Sequence, residues 1–398
     1  MDSLSQFALG AAVGVAVMGR RTAVWKAALW GGVLGTLPDL DALIDHGDPV
    51  RNMVLHRAET HALFWQTLAT VPVAAGIAAL TGRSQRAGAT AGAMGVTVLP
   101  PTPGVQGGRV TPGHHGAAAA TQGAPGRWRD LPRWLLTVWL VFVTHALLDA
   151  MTVYGTRLAL PFSDTPYGVG SMFIIDPLYT LLLLLGLAGT LAARGPRRWR
   201  WNLAGLALST AYLGWSAAAQ QHVEGVVRAQ IAQSAREAQG APLEPGARRA
   251  APAPVERVLV TPTAFNTVLW RVVLMRPDSY EEGFYSLLDG GRPIRYTAFP
   301  HDRALYEQVR GLDAVARIAD FSRGFFRVDE RDGIVRITDL RMGQEPAYVF
   351  SFAVARRGSA PQPMIPPQQV GGRGDIDVPA ALRWLWRRMG GEDIDPPR

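Results

Sequence analysis

Thr144-His145-Ala146-Leu147-Leu148-Asp149-Ala150-Met151-Thr152-Val153-Tyr154-Gly155 closes an apolar run that begins at Trp134. Residues 134–151 have the length and composition of one helix. His145 and Asp149 are four positions apart, so a helix presents imidazole and carboxylate on one face, one turn apart. A polar pair on an apolar helix is costly unless other groups satisfy it. Two other stretches have the residues to do so: Pro38-Asp39-Leu40-Asp41-Ala42-Leu43-Ile44-Asp45 and His56-Arg57-Ala58-Glu59-Thr60-His61. If the three stretches meet, a divalent metal ion is the simplest reason for the meeting.

Composition limits the chemistry. The 398 residues include no cysteine, which excludes disulfides and thiolate ligands. A metal must then be held by His, Asp, Glu or backbone oxygen, which suits zinc, manganese, magnesium or iron, with zinc the expected ion. Charged residues make up only 18% of the chain, below the roughly one quarter usual for soluble domains. The net charge of +8 resides in arginines that flank apolar runs and form no nucleic-acid-binding motif, so the partner read from charge is the lipid bilayer. No basic residue precedes the first apolar run, so that run reads as a retained helix rather than a cleaved leader.

Six apolar runs follow one another at 7–19, 25–37, 62–80, 134–151, 172–193 and 203–219. They predict a mainly α, polytopic membrane bundle of about six helices over residues 1–219. The first two are short for crossings and rich in small residues, as in Gly10, Gly14, Gly31, Gly32 and Gly35, which favours close helix contact. Residues 82–133, rich in Gly, Pro, Ala and Thr, read as a flexible linker, and His114-His115 within it as incidental. Residues 220–254 read as a polar helix and linker. Residues 255–357 carry β-branched runs and Asp-Gly turns, the pattern of a small α+β or mostly β domain. Residues 358–398 form a Pro/Gly-rich tail with a short helix at 379–389.

With six crossings, Arg20 and Arg21, the linker arginines, and Arg194, Arg197, Arg198 and Arg200 fall on one side. The positive-inside rule puts that side in the cytoplasm of an inner membrane, and the motif face and the C-terminal domain outside. The polar residues Asp2, Gln6, Asp39, Asp41, His56, His61, His145, Asp149, Asp164 and Asp176 then share the other face.

Candidate ligands are Asp39, Asp41, His56, His61, His145 and Asp149. Asp39 and Asp41 are two apart, so an extended backbone directs both the same way. His56 and His61 are five apart and share no helix face; both contribute if His56 lies in a loop and His61 caps the next helix. Asp41 and Arg57 are the catalytic candidates, Arg57 as a group that orients a carboxylate or holds a phosphate. A salt-bridged polar plug between helices accounts for the same residues without a metal.

The order Met1-Asp2-Ser3-Leu4-Ser5-Gln6, Gly35-Thr36-Leu37-Pro38-Asp39-Leu40-Asp41, His56-Arg57 with Thr60-His61, and Thr144-His145 with Leu148-Asp149 resembles the YdjM/YbcI-like inner-membrane family. Tyr154-Gly155-Thr156, Pro161-Phe162-Ser163, Asp176-Pro177, the stretch 266–271 and Thr338-Asp339-Leu340-Arg341 extend the likeness. The resemblance implies a membrane-bound metal-dependent hydrolase. Many relatives have His at the position of Gln6, a Gly at that of Ala58 and a Ser at that of Ala62. The family is more distantly similar to all-helical zinc phospholipases C and single-strand zinc nucleases. Their helical His-x-x-x-Asp helps bind zinc, which implies that role for His145 and Asp149 alone. The substrate class implied is a phosphoester or lipid head group. The alternative is a non-catalytic membrane protein whose polar cluster is structural and whose C-terminal domain binds a partner.

Overall fold

The computed structural model describes residues 1–93, 130–240, 253–358, 360–372 and 376–397. Most of the expected linker, including His114-His115, and most of the stretch 240–254 lie outside the described residues. Among the described residues, seven helices build the N-terminal region: α1 (Ser3–Met18), α2 (Val24–Thr36), α3 (Pro49–Leu55), α4 (Leu63–Ala93), α5 (Leu131–Ala150), α6 (Pro177–Ala192) and α7 (Trp199–Gly240). Short 3-10 turns at Pro38–Leu43 and Glu59–His61 follow α2 and precede α4.

The expectation of about six crossings is corrected. Among the described residues only Leu63–Thr81 and Leu131–Ala150 are long and apolar enough to cross a membrane. At 16, 13 and 16 residues, α1, α2 and α6 span roughly 20–24 Å, short of a hydrocarbon core about 30 Å thick. The sixth apolar run does not stop at 219. It continues through the polar stretch as one 42-residue helix, α7.

The small residues read from the sequence explain how the short helices pack. A Cβ added at Gly10 would overlap the Gly31 carbonyl, and one added at Gly35 would overlap the Gln6 carbonyl. The α1–α2 hairpin therefore packs backbone against backbone. That contact brings the start of α1 and the end of α2 together, against the end of α5. Leu34, Trp134, Val138, Phe142, Tyr179 and Leu183 fill the core between these helices.

The C-terminal region, expected to be strand-rich over 255–357, is built of β-sheets among its described residues. Strands β1 (Arg257–Pro262), β2 (Leu269–Met275), β3 (Ser279–Ser286) and β4 (Tyr296–Pro300) make one antiparallel sheet in the order β1-β2-β3-β4. Helices α8 (Arg303–Val309) and α9 (Asp313–Phe321) lead to β5 (Phe326–Arg331) and β6 (Ile334–Asp339). The hairpin β7 (Gly343–Gln344) and β8 (Ala347–Tyr348) precedes β9 (Ser351–Arg356). The tail is more ordered than its Pro/Gly content suggests: β10 (Gln362–Gln369) pairs with β9, giving a second sheet in the order β10-β9-β6-β5. Helix α10 (Val378–Met389) ends the fold.

This domain rests on the motif end of the helices. Val50, Met53, Val54 and Tyr154 share one apolar core with Val315, Ile318, Phe321 and Phe352. Arg341 donates to the carbonyls of Val153 and Tyr154 at 3.3 and 3.4 Å, and Asp339 holds its guanidinium.

Candidate metal centre

Four of the sequence candidates converge. One side-chain atom each from Asp39, His61, His145 and Asp149 lies within 4.8 Å of the other three. His145 and Asp149 stand on the last turns of α5, as their spacing requires. Asp39 comes from the 3-10 turn after α2, and His61 from the 3-10 turn before α4.

The expectation that Asp39 and Asp41 point the same way is corrected. Pro38 stops α2 and opens a 3-10 turn rather than an extended stretch. With three residues per turn, positions two apart diverge. Asp39 enters the group of four. Asp41 faces the next layer, where its carboxylate accepts from His56 Nδ1 at 2.9 Å, the Arg57 N–H at 2.9 Å and the Thr60 hydroxyl at 2.8 Å.

The distances within the group have the size of a coordination polyhedron. His61 Nε2 lies 3.0 Å from His145 Nε2, 3.1 Å from Asp149 Oδ2 and 3.4 Å from Asp39 Oδ1. His145 Nε2 lies 3.5 Å from both Asp39 Oδ1 and Asp149 Oδ2. A tetrahedral zinc ion with bonds near 2.0–2.1 Å requires ligand–ligand edges of about 3.4 Å.

The outer hydrogen bonds fix which atoms face inward. His145 Nδ1 donates to the Gly35 carbonyl at 2.7 Å. The Thr60 hydroxyl gives its proton to Asp41, so its oxygen accepts from His61 Nδ1 at 2.9 Å. Both imidazoles therefore present a bare Nε2 to the centre, the arrangement that metal-bound histidines take from their outer partners. Asp149 Oδ2 is fully buried and has no hydrogen-bond partner among the described residues. Its Oδ1 is occupied by Gln6 Nε2 at 3.0 Å and by the Met1 amine. The Arg57 guanidinium lies 3.4 Å from that Oδ2, and the remaining inward atoms are acceptors facing acceptors, an arrangement that a further cation relieves.

A proton on His61 is one such cation. Burial works against the charged imidazole, but the carboxylates of Asp149 and Asp39 outweigh it and raise the pKa. Burial likewise works against the Asp39 carboxylate, but the adjacent His145 and His61 imidazoles hold its pKa well below the usual range. Asp41 is also lowered, with burial opposed by His56. A divalent ion answers the same donor set with more charge.

Arg57 is buried beside the group. Its φ is +62°, a left-handed conformation uncommon outside glycine. The bond from its N–H to Asp41, and the bond its carbonyl accepts from the Arg157 N–H at 3.1 Å, hold it there. Its guanidinium lies 3.4 Å from Asp149 Oδ2, donates to the Thr152 hydroxyl at 3.2 Å and stacks 5.0 Å from the Tyr154 ring centre. Thr152 and Tyr154 were in the opening stretch but had no assigned role; a hydroxyl three positions after Asp149 was the available signal.

Other polar residues expected at this face do not enter the group of four. Asp176 caps α6 and accepts from Tyr212 at 2.9 Å. Asp2 caps α1. Asp164 is exposed and lines a separate cleft under the β-rich domain.

A family model described as YdjM inner membrane protein matches residues 1–223, which include every residue of this centre. No curated protein and no solved structure matches the chain.

Proposed function

The chain belongs to the YdjM inner membrane protein family, and from that premise we propose that it is a membrane metal-dependent hydrolase whose zinc-class ion is held by Asp39, His61, His145 and Asp149. The observation that carries this reading is the inward set of four acceptor atoms, each imidazole nitrogen 3.0–3.5 Å from the other three, with one orphaned carboxylate oxygen. Two imidazoles and two carboxylates also suit zinc better than magnesium.

A bound divalent ion lowers the pKa of a coordinated water and polarises the scissile group. The chain's residues do the remaining work. Asp39 is the accessible ligand, with 17% of its side chain exposed against at most 1% for the other three, so substrate approaches from its side. Asp41 acts as a positioning residue: it fixes Thr60, and through Thr60 the His61 ring. Its three donors leave it a poor base. His56 is part-exposed with Nδ1 committed to Asp41, which leaves Nε2 as the atom to carry a proton. Arg57 holds Asp149 and shields its charge.

The rim around Asp39 supports a lipid substrate. Leu43 in the same 3-10 turn is 82% exposed, and Phe162, edge-to-face with Phe64 at the start of α4, is 80% exposed. These side chains suit acyl chains beside a head-group phosphoester. With the motif face outside the cytoplasm, that head group belongs to the outer leaflet.

Metal content of detergent-purified protein, paired with a phosphodiester hydrolysis assay, tests the reading. Wild type should hold one ion per chain and turn over substrate, and chelation should stop turnover until metal is restored. A metal-free wild type after zinc and manganese reconstitution would sink the proposal and leave a structural cluster.

A further inference from the structure

The end of the helical region opposite the metal centre carries a second polar concavity. The α1–α2 hairpin turns at residues 19–23, and residues 193–198 join α6 to α7. Since α1 has 16 residues and begins beside the centre, this end is about 24 Å away. Leu131 of α5 and Thr81 of α4, the far limits of the two spans, close the same end of the bundle.

Between the two turns lies a concavity of about 630 Å³, with Arg20, Arg21, Thr22, Arg198 and Trp199 in its wall and no acidic residue. The Arg20 guanidinium rests on the Trp199 ring, 4.3 Å from its centre. Arg194, Arg197 and Arg200 lie in or beside the adjoining loop, and all six arginines are exposed to solvent. Among the described residues none of the six has a carboxylate within ion-pair distance. This sets them apart from Arg271, Arg341 and Arg388, each matched to an acid. Three guanidinium groups lining one concavity without a counter-charge form a site for an anion, and guanidinium geometry favours phosphate.

The surroundings distinguish a lipid phosphate from a soluble one. Trp25 and Trp201, at the adjoining helix starts, are exposed, as in the aromatic belt at a bilayer interface. Leu29, Leu191 and Leu203, within about a turn of the wall residues, are exposed apolar side chains along which acyl chains can lie. We propose that this concavity binds the phosphate head group of an anionic glycerophospholipid of the phosphatidylglycerol class, on the leaflet opposite the metal centre. Basic pockets between helix ends recognise such head groups by the same chemistry.

Native mass spectrometry of the delipidated full chain tests this, with phosphatidylglycerol and phosphatidylcholine of identical acyl chains in competition. Wild type should retain one phosphatidylglycerol with about a tenfold preference, which a pocket arginine pair readily supplies. Arg20→Ala/Arg198→Ala should lose that preference, and Arg228→Ala/Arg310→Ala, which removes equal charge elsewhere, should keep it. Because Arg20 packs on Trp199, Arg20→Gln/Arg198→Gln is made alongside; it keeps side-chain length and should also lose the preference. Equal binding of the two lipids by wild type overturns the proposal, as does a folded Gln pair that keeps the preference. Binding of glycerol 3-phosphate or inorganic phosphate as tight as that of the lipid makes this a soluble-anion site and overturns the lipid assignment.

Discussion

Two buried charged clusters in this molecule use similar side chains to opposite effect. In the β-rich domain, Arg271 gives Nε to Glu282 at 2.6 Å, one terminal nitrogen to the Leu340 carbonyl at 2.7 Å and the other to the Tyr348 hydroxyl at 2.9 Å. Donors meet acceptors, and the cluster is complete as it stands. At the end of the helices, two imidazole nitrogens face each other and two carboxylate oxygens at 3.0–3.5 Å. Arg57 and the Met1 amine lean on Asp149 from outside but do not fill the centre. Burial of charge therefore does not mark a ligand site. An excess of inward acceptors does, because it leaves an energetic demand that only a cation meets.

The comparison breaks most sharply under His145→Ala/Asp149→Ala. If the helical cluster is built around a metal, the folded double variant loses all bound metal, while unfolding of the β-rich domain is unchanged. Metal analysis of the purified variant beside its circular dichroism decides this. Retention of a full equivalent of metal would place the ion elsewhere. The converse substitution, Glu282→Gln, strands a buried guanidinium and should destabilise the β-rich domain by about 3–5 kcal/mol. Denaturant titration reads that loss, and metal content should stay at the wild-type level. A Glu282→Gln protein that loses metal would show that the two clusters are coupled through the Arg341 contact to Val153 and Tyr154.

Much of this contrast was legible in the residues. The α5 pair could be read from spacing alone, because one helix fixes both side chains. The motif order pointed to the family that residues 1–223 match. What could not be read was the division of labour around Asp39 and Asp41. It depends on Pro38 opening a 3-10 turn instead of an extended strand, a difference of a few backbone angles that composition does not encode. The number of crossings was overread for a related reason. Apolar runs of 13–16 residues look like short crossings until glycine contacts such as Gly10–Gly31 show how closely they pack as a hairpin. The place of β10 was hidden because its partner, β9, lies across the Pro/Gly-rich boundary.

A milder change sharpens the comparison from the second layer. Thr60→Val removes the hydroxyl that orients His61 and leaves all four inward groups in place. Loss of such an outer partner typically lowers metal affinity 10–100-fold. Equilibrium dialysis with zinc should find that loss, with stoichiometry still one. An unchanged affinity would mean that His61 is held by packing alone and that Asp41 has no part in the site.

The smallest effect is the most discriminating, because the two readings of the cluster give it opposite signs. The His61 pKa is raised, and its proton and a metal ion compete for the same Nε2. If the cluster is a structural plug, the proton is part of the structure. Its stabilisation is then complete below the ordinary imidazole value of about 6.5 and fades as pH rises through the higher folded-state value. If the cluster is a metal centre, affinity is full above that folded-state value. It then falls by up to about tenfold per pH unit on acidification, as one proton displaces the ion. Thermal unfolding of the helical region with saturating zinc, followed from about pH 8 down to about pH 6, separates the two. Stability that falls as the pH drops supports the metal centre; stability that rises supports the plug. The Arg271 cluster is the internal control. Burial opposes the charge on Arg271, but Glu282 and Tyr348 raise its pKa still further from this window, so the β-rich domain should show no matching transition.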